Sequence, residues 1–199
     1  KLFKKSNVLL QIYYYFVTVF MKYLYLLRHG KSLWKNYDGN DHERDISKKG
    51  IEKTKNVAQK FLLKNEVIEL CLYSSSKRTK KTLRIFNKII QINKEREKKG
   101  LYHCSGSYIF NLIKKQNTKK SILIIGHEPS FSEFLDIIIN SNVKINLSVL
   151  GEKIYTSSLI KIAIDVSTWA NMNRKNNTLI YHICPDKYVG EMKKKSNQS

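Results

Sequence analysis

The sequence predicts an α/β fold: a three-layer sandwich in which helices cover both faces of a mostly parallel central sheet. Two observations lead there. Short runs that are apolar at nearly every position, Tyr23–Leu27, Leu70–Tyr73 and Ser121–Ile125, alternate with stretches of helical period, and a strand apolar on both sides needs cover on both faces. Each of these three runs also ends directly in a polar motif rich in His, Arg or Ser, at the position where open α/β sheets bind their ligands.

The elements follow in order. Residues 1–20 stand apart: Lys1, Lys4 and Lys5 precede an apolar stretch from Val8 to Phe20. Gln11, Tyr13, Tyr14, Tyr15 and Thr18 dilute that stretch, no small-residue cleavage site follows it, and it is short for a membrane span. It is read as an N-terminal extension ahead of Met21, an uncleaved anchor being the competing reading. The folded unit is expected over 21–188, and 189–199 is expected to be a polar tail. After the first strand, Ser47 is placed to cap a helix whose apolar face is Ile51, Val57, Ala58, Phe61 and Leu62. The second strand leads into a helix with Leu83, Phe86, Ile89 and Ile90 on one side. Lys94–Gly100 reads as a charged loop. A third helix carries Tyr108, Ile109, Leu112 and Ile113, and a fourth begins at Ser130, with Glu133 three residues on as a capping box. Ser157–Ile164 and Thr178–Ile183 read as later strands.

Composition narrows the function classes. A chain of 199 residues with 42% hydrophobic content is one globular domain able to bury its own core. The formal charge of +21 admits a nucleic-acid or membrane-surface binder. The excess comes from Lys on polar helix faces, however, with only six Arg and no aromatic-interleaved basic stretch. A solvated surface that attracts anionic substrates is therefore preferred, with no specific nucleic acid and no membrane partner. Cys71, Cys104 and Cys184 are widely spaced, which suits free thiols in a reducing, cytoplasmic compartment. His103 beside Cys104 and His182 near Cys184 lack four-ligand zinc spacing, so no metal site is assigned. His182 and Cys184 are expected to share one face of a late strand.

The chemistry is concentrated at the three strand ends: Arg28-His29-Gly30, Ser74-Ser75-Ser76-Lys77-Arg78-Thr79 and Gly126-His127-Glu128-Pro129-Ser130. If the strands are parallel neighbours, two His and two Arg meet. Guanidinium pairs hold a phosphoryl group through charge-assisted bonds. A neutral imidazole attacks phosphorus to give a covalent intermediate, and a second imidazole binds the equatorial oxygens as charge redistributes. Gly30 and Gly126 are expected to let the backbone bend tightly beside the ligand.

These motifs carry a resemblance. Arg28-His29-Gly30-Lys31-Ser32-x-Trp34 resembles the RHG signature of the histidine phosphatase superfamily. The stretch from Ser74 to Thr82 resembles that family's second arginine motif, and Gly126-His127-Glu128-Pro129 its late histidine motif. Asp41-His42-Glu43-Arg44-Asp45-Ile46-Ser47-x-x-Gly50 is similar to the linking segment of the compact SixA-type phosphohistidine phosphatases. The resemblance spans about residues 22–188 and implies a phosphoglycerate mutase-like fold. It implies His29 as the phosphorylated nucleophile, Arg28, Arg78 and His127 as catalytic phosphate-binding groups, and Arg44 and Ser32 as further phosphate contacts. It implies no cofactor and no metal. Asp45 and Ser76 stand where the family often has Pro, and each substitution is expected to loosen its loop.

The general acid is left open by the sequence. Larger members of the superfamily resemble one another in an insertion-borne acidic residue. Here Glu95 and Glu97 sit in a Lys-rich run instead. Glu128 is one reading of the acid; service to the next helix N-terminus is the other. The expected function is hydrolysis of phosphohistidine on a protein, with an acidic phosphodonor domain as partner. The alternatives are a broad small-molecule phosphomonoesterase of the same superfamily and a non-catalytic polyanion-binding module.

Overall fold

The computed structural model describes residues 21–35, 39–118, 120–139, 154–175 and 177–186. The expectations for 1–20 and 189–199 lie outside these residues. The described chain runs β1 (Met21–Arg28), α1 (Lys48–Leu62), β2 (Leu70–Ser74), α2 (Lys77–Asn87), β3 (Glu95–Lys98), α3 (Gly106–Lys114), β4 (Ser121–Gly126), α4 (Ser130–Ile138), β5 (Leu159–Asp165) and β6 (Asn177–Ile183). Short 3₁₀ turns at Lys99–Leu101 and Trp169–Asn171 complete it.

The strands form one sheet in the order β3-β2-β4-β1-β5-β6. β1, β2, β3 and β4 pair in parallel, whereas β5 lies antiparallel to β1 and β6 antiparallel to β5. The sheet is mixed, and its parallel part carries the three motifs. Alternation along each strand sorts the core into two layers. Leu24, Leu26, Leu72, Ile122, Ile124 and Ile162 face α3 and α4 through Ile109, Ile113, Phe131 and Phe134. Tyr25, Leu27, Cys71, Leu123 and Ile125 face α1 and α2 through Val57, Phe61, Leu83 and Phe86. This is the predicted three-layer arrangement.

Three local expectations are corrected. Lys94–Gly100 is not simply a loop, because Glu95–Lys98 is a parallel edge strand on β2. Its side chains are almost all exposed, so it carries no apolar signal, and charge on an edge strand blocks further pairing. The capping box at Ser130 does not form: the N-cap is Pro129. The Ser130 hydroxyl donates to the Cys104 carbonyl, and Glu133 Oε2 accepts from Gly106 N at 2.8 Å. Both groups tie α4 to the start of α3 instead of capping their own helix. Ser47 does cap α1, accepting from Gly50 N at 3.1 Å.

Asp45 and Ser76 do not leave slack loops. Asp45 pairs with Lys81 at 2.9 Å and accepts from Ile46 N at 2.6 Å. The buried Ser76 hydroxyl lies 3.0 Å from Thr79 Oγ1. Ion pairing and hydrogen bonding to α2 do the fixing that Pro rigidity does elsewhere.

Candidate active site

The parallel pairing of β1 with β4 and of β4 with β2 brings the three motifs to one edge. Arg28 pairs with Gly126 in register, and His29 N continues the ladder to Gly126 O at 3.1 Å. Arg28, His29, Ser32, Arg44, Arg78, His127 and Glu128 line one cleft there, with Lys31, Trp34, Asp41, His103 and Thr156. Every candidate residue read from the sequence therefore borders the same space. Three of the chain's six arginines do so, although the general basic excess is Lys.

The loop after β1 is held by packing. Gly30 N donates to Thr82 Oγ1 at 2.9 Å, and Thr82 Oγ1 donates to Arg78 O at 2.7 Å, which joins the His29 loop to α2. A Cβ on Gly30 would stand 2.9 Å from Thr54 Oγ1. A Cβ on Gly126 would stand 3.0 Å from the Phe131 ring. Neither glycine has a positive φ. The expected tight bend is thus corrected to close approach, with helices lying against both glycines. Ser32 forms an antiparallel bridge with Ile46 and is buried.

His29 is 6% exposed. Its Nδ1 lies 2.9 Å from the Gly30 carbonyl, an acceptor only, so Nδ1 carries the hydrogen and Nε2 keeps its lone pair. Arg78 Nε lies 3.4 Å from that Nε2. Burial, with the charges of Arg78, Arg28 and Arg44 adding to it, lowers the His29 pKa to about 3 against the opposing Gly30 bond. The ring is neutral at any physiological pH.

His127 stands with its ring 5.0 Å from that of His29 and its Nε2 2.8 Å from Ser74 Oγ. Burial and the neighbouring charges keep it neutral as well. Its buried Nδ1 has no protein partner among the described residues. The Ser74 hydroxyl is able to donate to or accept from Nε2; the tautomer in which it donates places the ring hydrogen on Nδ1. Arg28 donates through one terminal nitrogen to the Ile154 carbonyl.

Asp41 organises the site, and the sequence reading gave it no role. Its Oδ2 accepts from Arg78 Nη2 and from Tyr102 Oη, each at 2.8 Å, and its Oδ1 pairs with Arg44 Nη2 at 2.7 Å. The Asp41 carbonyl accepts from Arg78 Nη1. Burial acts to raise its pKa, but the Tyr102 and Arg78 bonds and the two guanidiniums hold it below the usual carboxylate range. Arg44 also lies over the exposed Trp34 ring at 3.9 Å. The only sequence signal for this hub is the Asp41–Arg44 spacing.

Glu128 Oε2 accepts from Ser132 N at 3.2 Å and from Ser132 Oγ at 2.9 Å, which serves the first turn of α4. Its other oxygen is buried without a protein partner among the described residues, and burial raises its pKa. Glu95 accepts from Asn87 and Glu97 pairs with Lys80; neither borders the cleft. Among the described residues no group of three or more His, Cys, Asp or Glu could hold a metal ion, and no helix is long and apolar enough to cross a membrane. His182 and Cys184 approach to 3.3 Å, on one side of the strand end as expected.

Residues 24–99 match the family described as histidine phosphatase superfamily (branch 1). No curated protein matches the sequence. Among solved structures, the chain is similar to a protein named as the phosphohistidine phosphatase SixA of Agrobacterium tumefaciens. The two are 21% identical with a TM-score of 0.70, over 82% of this chain and 98% of that one. A protein histidine phosphatase SixA complexed with tungstate is 18% identical with a TM-score of 0.64, over 83% and 99%. A structure named as an alpha-ribazole-5'-P phosphatase of Escherichia coli is 16% identical with a TM-score of 0.57, over 80% and 95%. At these identities the likeness is one of fold.

Proposed function

We propose that this chain, residues 24–99 of which match the histidine phosphatase superfamily, removes phosphate from phosphohistidine on a protein, through a covalent phosphohistidine on His29. The observation that carries this reading is the fixed tautomer of His29: Nδ1 is held by the Gly30 carbonyl, and the Nε2 lone pair faces Arg78. A buried, neutral imidazole in that state needs no base to activate it.

A phosphoryl group bound against Nε2 meets Arg78 and Arg28, with Arg44 behind them on the Asp41 bridge. Guanidinium forks match the planar spread of charge over three equatorial oxygens. In the tautomer with its hydrogen on Nδ1, His127 would supply a further donor to the same oxygens. Arginine charge takes the part a metal ion plays in other phosphoryl-transfer sites, so the proposed reaction runs without one. In the first step the Nε2 lone pair forms a P–N bond as the bond to the leaving group breaks. Water then attacks phosphorus, and the P–N electrons return to Nε2.

Two observations favour a phosphorylated imidazole as substrate. Among the described residues no carboxylate from the interval between α2 and β4 borders the cleft, and an imidazole leaving group leans less on a proton donor of any kind than an alkoxide does. The net charge of +21 favours encounter with an acidic phosphodonor domain, an effect that fades with salt. The test compares kcat/KM for a phosphohistidine protein with that for a simple alkyl phosphate. A clear preference for the phosphohistidine is expected. A preference for the alkyl ester would replace this reading with a small-molecule phosphomonoesterase, and no His29-dependent turnover of either would leave the polyanion-binding module.

A further inference from the structure

Resting on the phosphatase reading above, the geometry points to His103 as the residue that donates a proton to the leaving group and recovers it from the attacking water. His103 borders the same cleft as His29, Arg78 and His127, yet its side chain is 69% exposed. It therefore stands at the mouth, where a leaving group must exit. Its ring lies near-parallel to that of His127, tilted by 14° at 6.5 Å, and His127 is 5.0 Å from His29. An in-line displacement places roughly 3–3.5 Å between nucleophile and phosphorus and about 3 Å between the leaving atom and its donor. With the scissile bond between them, attacking and donating nitrogens stand about 7–8 Å apart, within the reach of two successive ring separations of 5.0 Å and 6.5 Å.

The backbone supports a dedicated position. His103 has φ 52°, in the left-handed region that non-glycine residues rarely occupy. Such strain persists where the surroundings impose it, and the residue that bears it lines the cleft. Tyr102 holds one side, ring to ring at 4.1 Å, and the Asp41 carboxylate lies 3.8 Å from His103 Nε2. The charged and titratable groups facing His103 are thus Asp41 from the loop after β1 and His127 from the end of β4, with Tyr102 beside it. Asp41 is committed to two arginines, and Glu128 spends one oxygen on Ser132. Imidazole is the side chain best suited to give and take a proton within one turnover near neutral pH.

The step balances. As the P–O bond of an ester breaks, the departing oxygen takes the electron pair and a proton from a ring N–H of protonated His103. The neutral ring then accepts a proton from the water that attacks phosphorus, and both groups return to their starting state. A phosphohistidine leaves as imidazole and leans less on this donor.

The test is leaving-group dependence. His103→Asn tolerates positive φ and His103→Gln keeps side-chain length, so at least one folded variant is expected by circular dichroism. For an alkyl phosphate, kcat/KM should fall by ~10²-fold or more, the lower range for general acid catalysis. Aryl phosphates with acidic phenols and phosphohistidine should lose less than about tenfold, the variant thus showing a steeper dependence on leaving-group pKa. An equal loss for all substrates would overturn the proposal, as would the steepening appearing in Glu128→Gln and not at His103. Failure of the underlying phosphatase reading looks different: the unaltered protein would then show no His29-dependent turnover at all.

Discussion

Replacing Asp41 by Asn should disarm the cleft without emptying it of arginines. Asp41 joins Arg78 at 2.8 Å and Arg44 at 2.7 Å, and takes the Tyr102 hydroxyl at 2.8 Å. Asn keeps the volume and one acceptor but loses the charge and the second acceptor. A hydrogen bond to a charged group contributes about 1.5–3 kcal/mol, and two are weakened. The Asp41 side chain is 30% exposed, so solvent screening cuts the combined loss to about 2–3 kcal/mol. At about 1.4 kcal/mol per decade this corresponds to a roughly 30–150-fold loss in kcat/KM. Because Arg78 and Arg44 bind phosphate in this account, inhibition by inorganic phosphate should weaken in parallel. The assay is hydrolysis of an aryl phosphate with and without added phosphate, alongside thermal unfolding. A variant that loses thermal stability yet keeps the phosphate inhibition constant and kcat/KM would refute the idea that Asp41 sets the arginine geometry.

Acid should destabilise the fold through its two buried histidines. His29 and His127 stay neutral in the folded protein, their pKa values pushed far below the usual 6.5 chiefly by burial. The unfolded chain takes up both protons below pH 6.5 while the folded chain refuses them, so stability falls as pH drops from there. Between pH 7 and 5 the loss is about 2 kcal/mol per histidine. Urea unfolding at the two pH values should show it, with His127→Asn roughly halving the drop; an unchanged drop would count against a neutral His127. Excess chelator should leave hydrolysis unaffected, since Arg28, Arg44 and Arg78 carry the positive charge; activity lost to EDTA and restored by a divalent ion would contradict this.

The parallel half of the sheet was legible because β1, β2 and β4 are apolar on both sides and end in polar motifs. β3 was not, since Glu95, Arg96, Glu97 and Lys98 pair through their backbone alone and that pairing leaves no trace in side-chain chemistry. The residues proposed as nucleophile and phosphate ligands at strand ends announced themselves by type. Their supports did not. Asp41, Ser74 and the adjacent Tyr102 and His103 come from three separate segments, and only the folded sheet brings the Asp41 loop against Arg78, 37 residues on, and Tyr102, 61 residues on. Ser130 and Glu133 misled in the opposite direction. A local capping pattern was present, but both groups had tertiary partners at the start of α3, and tertiary bonds prevailed over the local motif.

The central claim is that His29 is phosphorylated in turnover, and trapping that intermediate tests it most directly. The protein is mixed with a radiolabelled phosphohistidine peptide, quenched in alkali within one turnover, digested and mapped. The account predicts label on His29, lost in acid and retained in alkali, and absent from His29→Ala. Label on a serine or an aspartate, or full turnover by His29→Ala, would contradict it.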